Sequence, residues 1–479
     1  MLRTLSVSLL LTLTVSVTVW TQTAPASSQQ PPTPAFGQGP VQQDEGTPLP
    51  SLDKPVLEPL SKNLSYLQPG LHVGETADKI SQTSFGSETR IFGSLSLRRL
   101  RGRSETYADL VSGGSFSTNL NPKTNQIHEA YLGQKYLWRT GKIEIRDAFT
   151  YLPEGTFAYG SFGGSGGVPG ELGLSLGGGI GVGALSGGEF SFFGLEQYSA
   201  LDNAPRLSNT TILDVQQRIT SRSTFTMAGG YGLLHFTDNT VGTNPYTGLP
   251  IVTIDSHQTT GEAGYDYQLT KRDRVAVEYG FQRFTFPGQS IGSFDTHVLQ
   301  ALYGRQITGR INIELGGGPE WTVFRNTTSA SNQMSVSARA SVQYRLRKTT
   351  MSAGFDRFNS SGSGLFLGAE TDAAHVSFDH PITRVWAALL DGGYAHVTRL
   401  QPSLIGINAQ YLNNGYGGVA ARRPFGHTFD LVLHYQFNQD YFDNSLCAAL
   451  PPGQPCYRYS NRHVFGVGVD WHPRPIRLD

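Results

Sequence analysis

The stretch Met334–Leu346, MSVSARASVQYRL, decides the fold class because its side chains alternate along its whole length. Every second position, starting at Met334, is Met, Val, Ala, Tyr or Leu, and the positions between them are Ser, Arg or Gln. Successive side chains of a strand point to opposite faces. The stretch therefore predicts a strand with one apolar face and one strongly polar face.

The same alternation recurs along the chain, for example in Arg274–Phe281, Arg310–Leu315, Phe429–Phe437 and Phe465–Trp471. An even number of strands returns both chain ends to the same side of a closed barrel. The first segment is the weakest, and 16 strands stay possible if two weak segments belong to loops. The 18 predicted strands are 66–75, 90–99, 105–118, 126–139, 142–152, 210–220, 223–237, 257–270, 273–286, 295–307, 310–324, 333–346, 349–358, 371–381, 384–397, 414–424, 428–440 and 462–472.

The connections between these segments distinguish a membrane barrel from a soluble sandwich, which would also alternate. Short turns such as Arg139–Lys142 and Thr308–Arg310 alternate with long loops such as 239–256 and 441–461. Aromatic residues cluster near segment ends, at Tyr136, Trp138, Phe284, Phe286, Trp321, Phe324, Trp386 and Trp471. These features predict an all-β, transmembrane antiparallel β-barrel of about 18 strands, with short periplasmic turns and long extracellular loops.

The composition agrees with this fold class. Charged residues make up 15% of the chain, against roughly 25% in ordinary soluble proteins. Glycine accounts for 57 of 479 residues, which is far from the Ala-, Glu- and Lys-rich composition of helical proteins. The 37 basic and 37 acidic residues give a net charge of zero, whereas a nucleic-acid partner would favour a basic chain.

The N-terminus predicts export. A short positive start at Arg3, the apolar run Leu5–Trp20 and the small-x-small pattern Ala24-Pro25-Ala26 are typical of a signal peptide. We expect a signal peptide at 1–26, a Pro-rich disordered periplasmic linker at 27–64 and one barrel domain at 65–479. Localisation in the outer membrane of a Gram-negative-type envelope follows from this order.

Two loop segments are candidate sites. Residues 155–194 contain 16 glycines in 40 positions, without a Lys and without the Gly pattern between strand and helix that a phosphate-binding loop needs. This Gly-rich segment can fold into the lumen or stay at the surface. Cys447 and Cys456 flank eight residues in the last long loop and predict a local disulfide, because ligands at metal-site spacing are missing.

The short turns and their flanks hold 18 of the 37 basic residues, among them Arg139, Lys142, Arg310 and Arg347. This basic end can attract phospholipid head groups or an anionic solute. The simpler interpretation, which we favour, is that the side chains anchor strand ends in the head-group layer.

The polar strand faces supply the candidate pore-lining residues. Both charge signs occur among them, so the sequence predicts a passive, porin-like channel of weak ion selectivity for small solutes, embedded in outer-membrane lipid. No cofactor or metal site is predicted. The candidates are Asp214, Gln216, Arg218, Glu278, Asn312, Glu314, Arg339, Gln343, Arg345, Asp356, Asp430, His434 and Asp470.

Enzymatic signals are weak. The sequence holds neither H-E-x-x-H nor G-x-S-x-G. Asp430 and His434 share a strand face and predict a carboxylate–imidazole pair in the lumen, which leaves a membrane-embedded hydrolase as a minor alternative to polar lumen filling. Another alternative is a surface protein whose long loops bind polysaccharide or a partner, with the barrel as its anchor.

Five motifs carry a resemblance to uncharacterised acidobacterial outer-membrane β-barrel proteins. They are Tyr151–Glu154 (YLPE), Gly230–Leu234 (GYGLL), Gln268–Asp273 (QLTKRD), Tyr303–Arg310 (YGRQITGR) and Gly316–Glu320 (GGGPE). The resemblance spans about 65–472 and implies the barrel and its location, but no activity. One departure from barrels in general is that the chain continues past the aromatic end of its last strand as HPRPIRLD.

Overall fold

The structure is a computed structural model. It describes residues 65–80, 85–117, 124–152, 206–237, 240–243, 250–252, 254–287, 292–325, 331–346, 348–360, 366–383, 385–401, 409–445 and 458–478. The chain divides into the units Met1–Thr33 and Pro34–Asp479, and all described residues belong to the second. The predicted signal peptide, the predicted linker and the Gly-rich segment 155–194 lie outside the described residues, as do Cys447 and Cys456.

Alternating sequence produces long antiparallel strands. β1–β7 span Tyr66–Ile80, Gly86–Arg101, Ser104–Ser117, Thr124–Trp138, Gly141–Leu152, Arg206–Arg218 and Ser223–Phe236. β8 (Thr240–Thr243) and β9 (Pro250–Val252) form a small separate hairpin. β10–β20 span Ser256–Gln268, Asp273–Thr285, Phe294–Thr308, Ile311–Phe324, Gln333–Arg345, Thr350–Ser360, Ala369–Pro381, Ala387–Arg399, Tyr411–Phe425, Phe429–Phe442 and Tyr459–Trp471.

The barrel consists of 18 of these strands, β1–β7 and β10–β20, each paired with its neighbours in chain order. The ring closes where β1 pairs antiparallel with β20, from Leu71 opposite Trp471 to Ile80 opposite Arg462. The predicted 18 strands are confirmed, the weak first segment included, and the alternative of 16 is wrong. Within the described ranges, no helix is both long and apolar enough to cross a membrane.

The structure adds strands that the alternation did not predict. The β8–β9 hairpin lies inside the predicted loop 239–256, and β21 (Ile476–Arg477) pairs with the start of β1. Several barrel strands also extend beyond the predicted bounds, as in β1, which runs to Ile80. Alternation shows only where the two faces differ in polarity, whereas hydrogen-bonded pairing continues beyond that region.

The apolar face of the strands turns outward. On β20, Phe465, Val467 and Val469 are each about half exposed, while Val464 and Asp470 between or beside them are buried inside. β7 repeats the arrangement, with Met227 exposed by 51% and Thr226 fully buried. The result is a closed wall that is apolar outside and polar inside. We call its two ends the short-turn end and the long-loop end.

Candidate functional site: the inner face of the barrel

The inner face carries the predicted pore-lining residues wherever their side chains are described. They share this face with long rows of buried polar residues, such as Gln258, Thr260 and Glu262 on β10. Six predicted residues are buried there: Glu278, Arg339, Asp356, Asp430, His434 and Asp470. Gln216, Arg218, Asn312 and Glu314 lie on the same face and are partly exposed. The side chains of Asp214, Gln343 and Arg345 lie outside the described part.

One sector of the inner face, from β10 to β15, is rich in carboxylates. We call Glu262, Glu278, Glu314, Glu320 and Asp356 the acidic wall. Arg339 donates a hydrogen bond of 2.8 Å to Asp356 and lies 3.9 Å from Glu314. Glu278, of which only 1% is exposed, lies within hydrogen-bonding reach of Glu262 and interacts electrostatically with Arg339.

The facing sector, on β2–β5, balances its charges in pairs. Glu88 accepts hydrogen bonds from Arg90, at 2.8 and 2.6 Å. Lys142 lies 3.7 Å from Glu144, which also accepts a 3.1 Å hydrogen bond from Tyr107. Glu105 contacts Arg98 and Lys135. Each of these three carboxylates therefore has a cation beside it.

Two histidine–aspartate pairs flank the seam between β20 and β1. His72 Nδ1 lies 2.5 Å from Asp470 Oδ1, and both residues are almost completely buried. His472 Nε2 lies 2.7 Å from Asp430 Oδ2, and the same oxygen accepts a hydrogen bond from Arg422. Asp430 and Asp470 are directly opposite each other in the β19–β20 ladder.

These contacts correct the predicted pairing of Asp430 with His434. Both side chains point inward, as expected, but neither ring nitrogen of His434 has a hydrogen-bond partner within the described residues. The imidazole lies over Gly466, where an added Cβ would come within 2.0 Å of its Cε1. Asp430 instead contacts Arg422 on β18 and His472 just after β20. These residues lie on or beside the strands paired with β19, whereas His434 is four positions further along β19 itself.

The wall has a break between β14 and β15. Their ladder runs only from Ala338 opposite Arg357 to Arg345 opposite Thr350. β15 nevertheless continues pairing with β16 as far as Ser360 opposite Ala369. Beyond the break, Asn359 Nδ2 donates to Thr322 Oγ1 on β13 at 2.8 Å and approaches Thr296 Oγ1 on β12 at 3.4 Å. The end of β15 therefore lies against the inner surface of β12 and β13.

We call residues 357–360, 366–372 and 395–401 the lid, since they bend inward at the long-loop end. Gln401 Nε2 donates to Gly292 O at 2.6 Å and to Leu367 O at 2.8 Å, which joins the lid to the start of β12. Within the lid, Arg357 pairs with Glu370 and lies 3.5 Å from Asp372.

Apolar packing closes the lumen beneath the lid. Leu234 and Phe236 of β7 belong to one buried cluster with Val397 of the lid and with Leu412 and Phe442 of β18 and β19. In the sheet order, β10–β15 separate β7 from β16, so these residues come from nearly opposite sides of the barrel. The burial of such apolar side chains favours the closed arrangement.

A second apolar cluster lies beside the first. Phe284 and Phe294 stack with ring centroids 4.7 Å apart, and Leu367 of the lid packs in the same cluster with Ile254 and Phe286. At the long-loop end, the chain's own apolar side chains therefore occupy part of the lumen, beside buried polar residues such as Thr296 and Asp440.

Sequence reasoning missed several inner-face residues. Glu262 and Glu320 alternate in the same way as the predicted residues and could have been found by the same rule. His72 lies on the weakest predicted strand, and His472 lies one residue past the end of β20. Within the described ranges, no group of three or more metal-ligating side chains is placed to hold a metal ion.

Comparisons with known proteins bear on the whole barrel. No protein-family model matches the sequence, and no curated protein sequence matches it. Among solved structures, the outer membrane protein opdK from Pseudomonas aeruginosa aligns with 9% identity and a TM-score of 0.41, over 85% of this chain and 98% of that one. Pseudomonas aeruginosa OpdQ aligns at 10% identity and a TM-score of 0.41, over 87% and 100% of the two chains. Acinetobacter baumannii OccAB3 aligns at 11% identity and a TM-score of 0.39, over 85% and 99%.

Proposed function

We propose that the protein is an outer-membrane barrel that acts as a passive, porin-like channel for small solutes. The observation that carries this proposal is the polar, charged inner face within a closed ring of 18 strands. Barrels of 16 to 18 strands are wide enough to leave an aqueous lumen. The outward apolar face suits lipid, because a soluble protein rarely exposes so large an apolar surface. By the usual layout, the short-turn end faces the periplasm and the long-loop end faces the cell exterior.

In this proposal the lid is the gate. Solutes pass when residues 357–360, 366–372 and 395–401 move away from the inner surface of β12 and β13. The contacts between the lid and β12 and β13 are a few hydrogen bonds and apolar clusters, since pairing with β14 stops at Ala338 and Arg357. On its other side the lid stays paired with β18, from Ala395 to Thr398, so that it would move together with the end of β18.

Planar-bilayer recording tests the channel. We expect discrete conductance steps from the purified, detergent-refolded protein, and more open time for a variant with a weakened lid, Phe236→Ser. Heat-modifiable mobility on gels reports that the barrel is folded. Folded protein that stays silent in both forms would contradict the proposal.

The closed mouth favours a second candidate, a barrel-anchored surface protein whose long loops bind polysaccharide. A barrel whose lumen stays filled can serve as an anchor alone. Glycan-array binding that is lost when loop residues are deleted, together with bilayers that stay silent even for Phe236→Ser, would support this candidate over the channel.

A further inference from the structure

The outward face of β11 changes in character toward the long-loop end. Val277 and Tyr279 are each about half exposed, Phe281 follows them on the same face, and Arg283 comes next. Since strand residues two apart share a face, these four side chains form one column that runs from apolar to charged. On a lipid-facing wall, this order corresponds to the passage from the hydrocarbon core to the head-group layer.

The neighbouring strands repeat this order in register. His297 on β12 is opposite Phe281 on β11 and opposite Trp321 on β13, so that three rings form one row. Tyr279 Oη and His297 Nδ1 are 2.7 Å apart, which joins this row to the one below. Amphipathic rings of this kind prefer the membrane–water interface. The next row toward the long loops therefore lies at the level of the lipid head groups.

That next row holds two arginines on one carboxylate. Arg283 is opposite Asp295 in the β11–β12 ladder and donates from Nε and Nη2 to its two oxygens, at 2.8 and 3.1 Å. Arg325, directly after β13, donates from Nε to Asp295 Oδ2 at 2.8 Å. The side chain of Asp295 is 2% exposed, whereas those of Arg283 and Arg325 are 44% and 53% exposed. We call Arg283 and Arg325 the outer arginine pair.

The outer arginine pair carries one positive charge more than Asp295 neutralises. The hydrogen bonds to Asp295 use Nε and Nη2 and leave Nη1 of each guanidinium outside them. Exposed ion pairs contribute little to stability, so the main effect of Asp295 is to hold both guanidinium groups at one point of the surface. Guanidinium is also the side-chain group whose planar donors best match the oxygens of a phosphate.

We propose that the outer arginine pair binds the phosphate group of an anionic lipid in the leaflet at the long-loop end. The surplus charge is complementary to phosphate, and the column Val277, Tyr279 and Phe281 directly below gives the acyl chains an apolar surface. A dissolved anion would gain the charge but not this surface. The inference goes beyond the channel function and depends only on the membrane location, so a barrel without conductance leaves it standing.

Lipid titration of the folded barrel in a neutral detergent, read by native mass spectrometry, tests the site. The probe is diphosphoryl lipid A. We expect saturable binding that is about fivefold weaker in Arg283→Gln and in Arg325→Gln, the contribution of one basic residue at a lipid surface. Arg283→Lys keeps the charge but loses the planar donors, and should bind between the wild type and Arg283→Gln. Arg305→Gln, the matched loss of a β12 arginine that lies 3.7 Å from Asp273 at the short-turn end, should bind as the wild type does.

Two further probes separate the phosphate from the acyl chains. Dephosphorylated lipid A should bind more weakly than diphosphoryl lipid A to the wild type, and equally to all variants. Inorganic phosphate at the same concentration should not displace the lipid, because it makes no contact with the apolar column. Displacement by inorganic phosphate would assign the pair to a dissolved anion and overturn the inference.

The variants supply the remaining outcomes. Binding of diphosphoryl lipid A that is equal in the wild type and both Gln variants would overturn the inference. An equal loss in Arg305→Gln would also overturn it, since the attraction would then be to basic residues in general. Two arginines are tested separately and heat-modifiable mobility reports folding, so the failure of one variant to fold does not remove the test.

Discussion

Asn359 on β15 donates a 2.8 Å hydrogen bond to Thr322 on β13, although β14 separates those two strands in the sheet order. Strands two apart in a flat sheet are nearly 10 Å from each other. The bond is possible because β15 leaves the ladder after Arg357 and lies over the inner surface. This contact fixes the lid against the wall.

Cysteines at these two positions should report the lid's position. In a background with Cys447→Ser and Cys456→Ser, we expect Asn359→Cys with Thr322→Cys to form a disulfide under mild oxidation, because the native side chains are in contact. Mass spectrometry after proteolysis measures the cross-link. Thr322→Cys paired with Val336→Cys, on the outer face of β14, is the matched control and should not cross-link. Absence of the lid disulfide in folded barrels would show that the lid lies elsewhere.

Removing apolar contact should loosen the lid. Phe236 is 1% exposed and packs in the cluster that includes Val397 and Leu412. We expect Phe236→Ala to remove about 3 kcal/mol of packing free energy and to increase the accessibility of a cysteine at Asn359 to a water-soluble maleimide. Met227→Ala, on the outer face of the same strand, is the control and should leave labelling unchanged. Equal labelling in both variants would mean that this cluster does not hold the lid.

The buried pair Arg339–Asp356 should show a large coupling free energy in a double-mutant cycle of barrel stability. Both side chains are nearly inaccessible, and the hydrogen bond is 2.8 Å long. Removal of one partner leaves the other as an unpaired buried charge, so we expect Arg339→Met and Asp356→Asn each to lower the free energy of unfolding by about 3 kcal/mol. The double variant should lose much less than the sum of the two single losses. Urea unfolding in lipid or detergent measures this cycle.

The exposed pair Arg305–Asp273, 3.7 Å apart at the short-turn end, is the reference for that cycle. Its coupling should be about 0–1 kcal/mol, because water screens exposed ion pairs. Similar coupling in the two pairs would argue that water fills the space around Arg339 and that the described burial of the acidic wall does not persist in solution.

Gly133 leaves room for a neighbouring ring. A Cβ at this position would come within 2.0 Å of Tyr107 Cζ. We expect Gly133→Ala to destabilise the barrel by about 2 kcal/mol, and Tyr107→Ala in the same chain to recover part of the loss. Gly261→Ala, where an added Cβ meets no atom within 4 Å, should be close to neutral in the same unfolding assay. Equal effects at the two glycines would contradict the described packing.

Alternation was sufficient to predict the strands and their faces because lipid and lumen impose opposite demands on successive side chains. Glu278, Arg339 and Asp356, which alternation assigns to the polar face, are buried on the inner face of the barrel. Alternation could not predict the lid, since β15 alternates equally well whether it stays in the wall or leaves it after Arg357. Alternation also could not identify the partner of Asp430. His434 is near Asp430 in sequence, whereas His472 comes near it only when β19 and β20 pair.

The most direct test of the central claim is the conductance of the Asn359→Cys, Thr322→Cys protein, in the background without native cysteines, before and after reduction on the same bilayer. We expect few or no openings while the lid disulfide is intact, and discrete conductance steps after addition of a reductant. A control barrel with Thr296→Cys and Thr322→Cys, which are directly opposite each other within the wall, should conduct in both conditions. Equal conductance of the lid-locked protein with and without reductant would contradict a lumen gated by the lid.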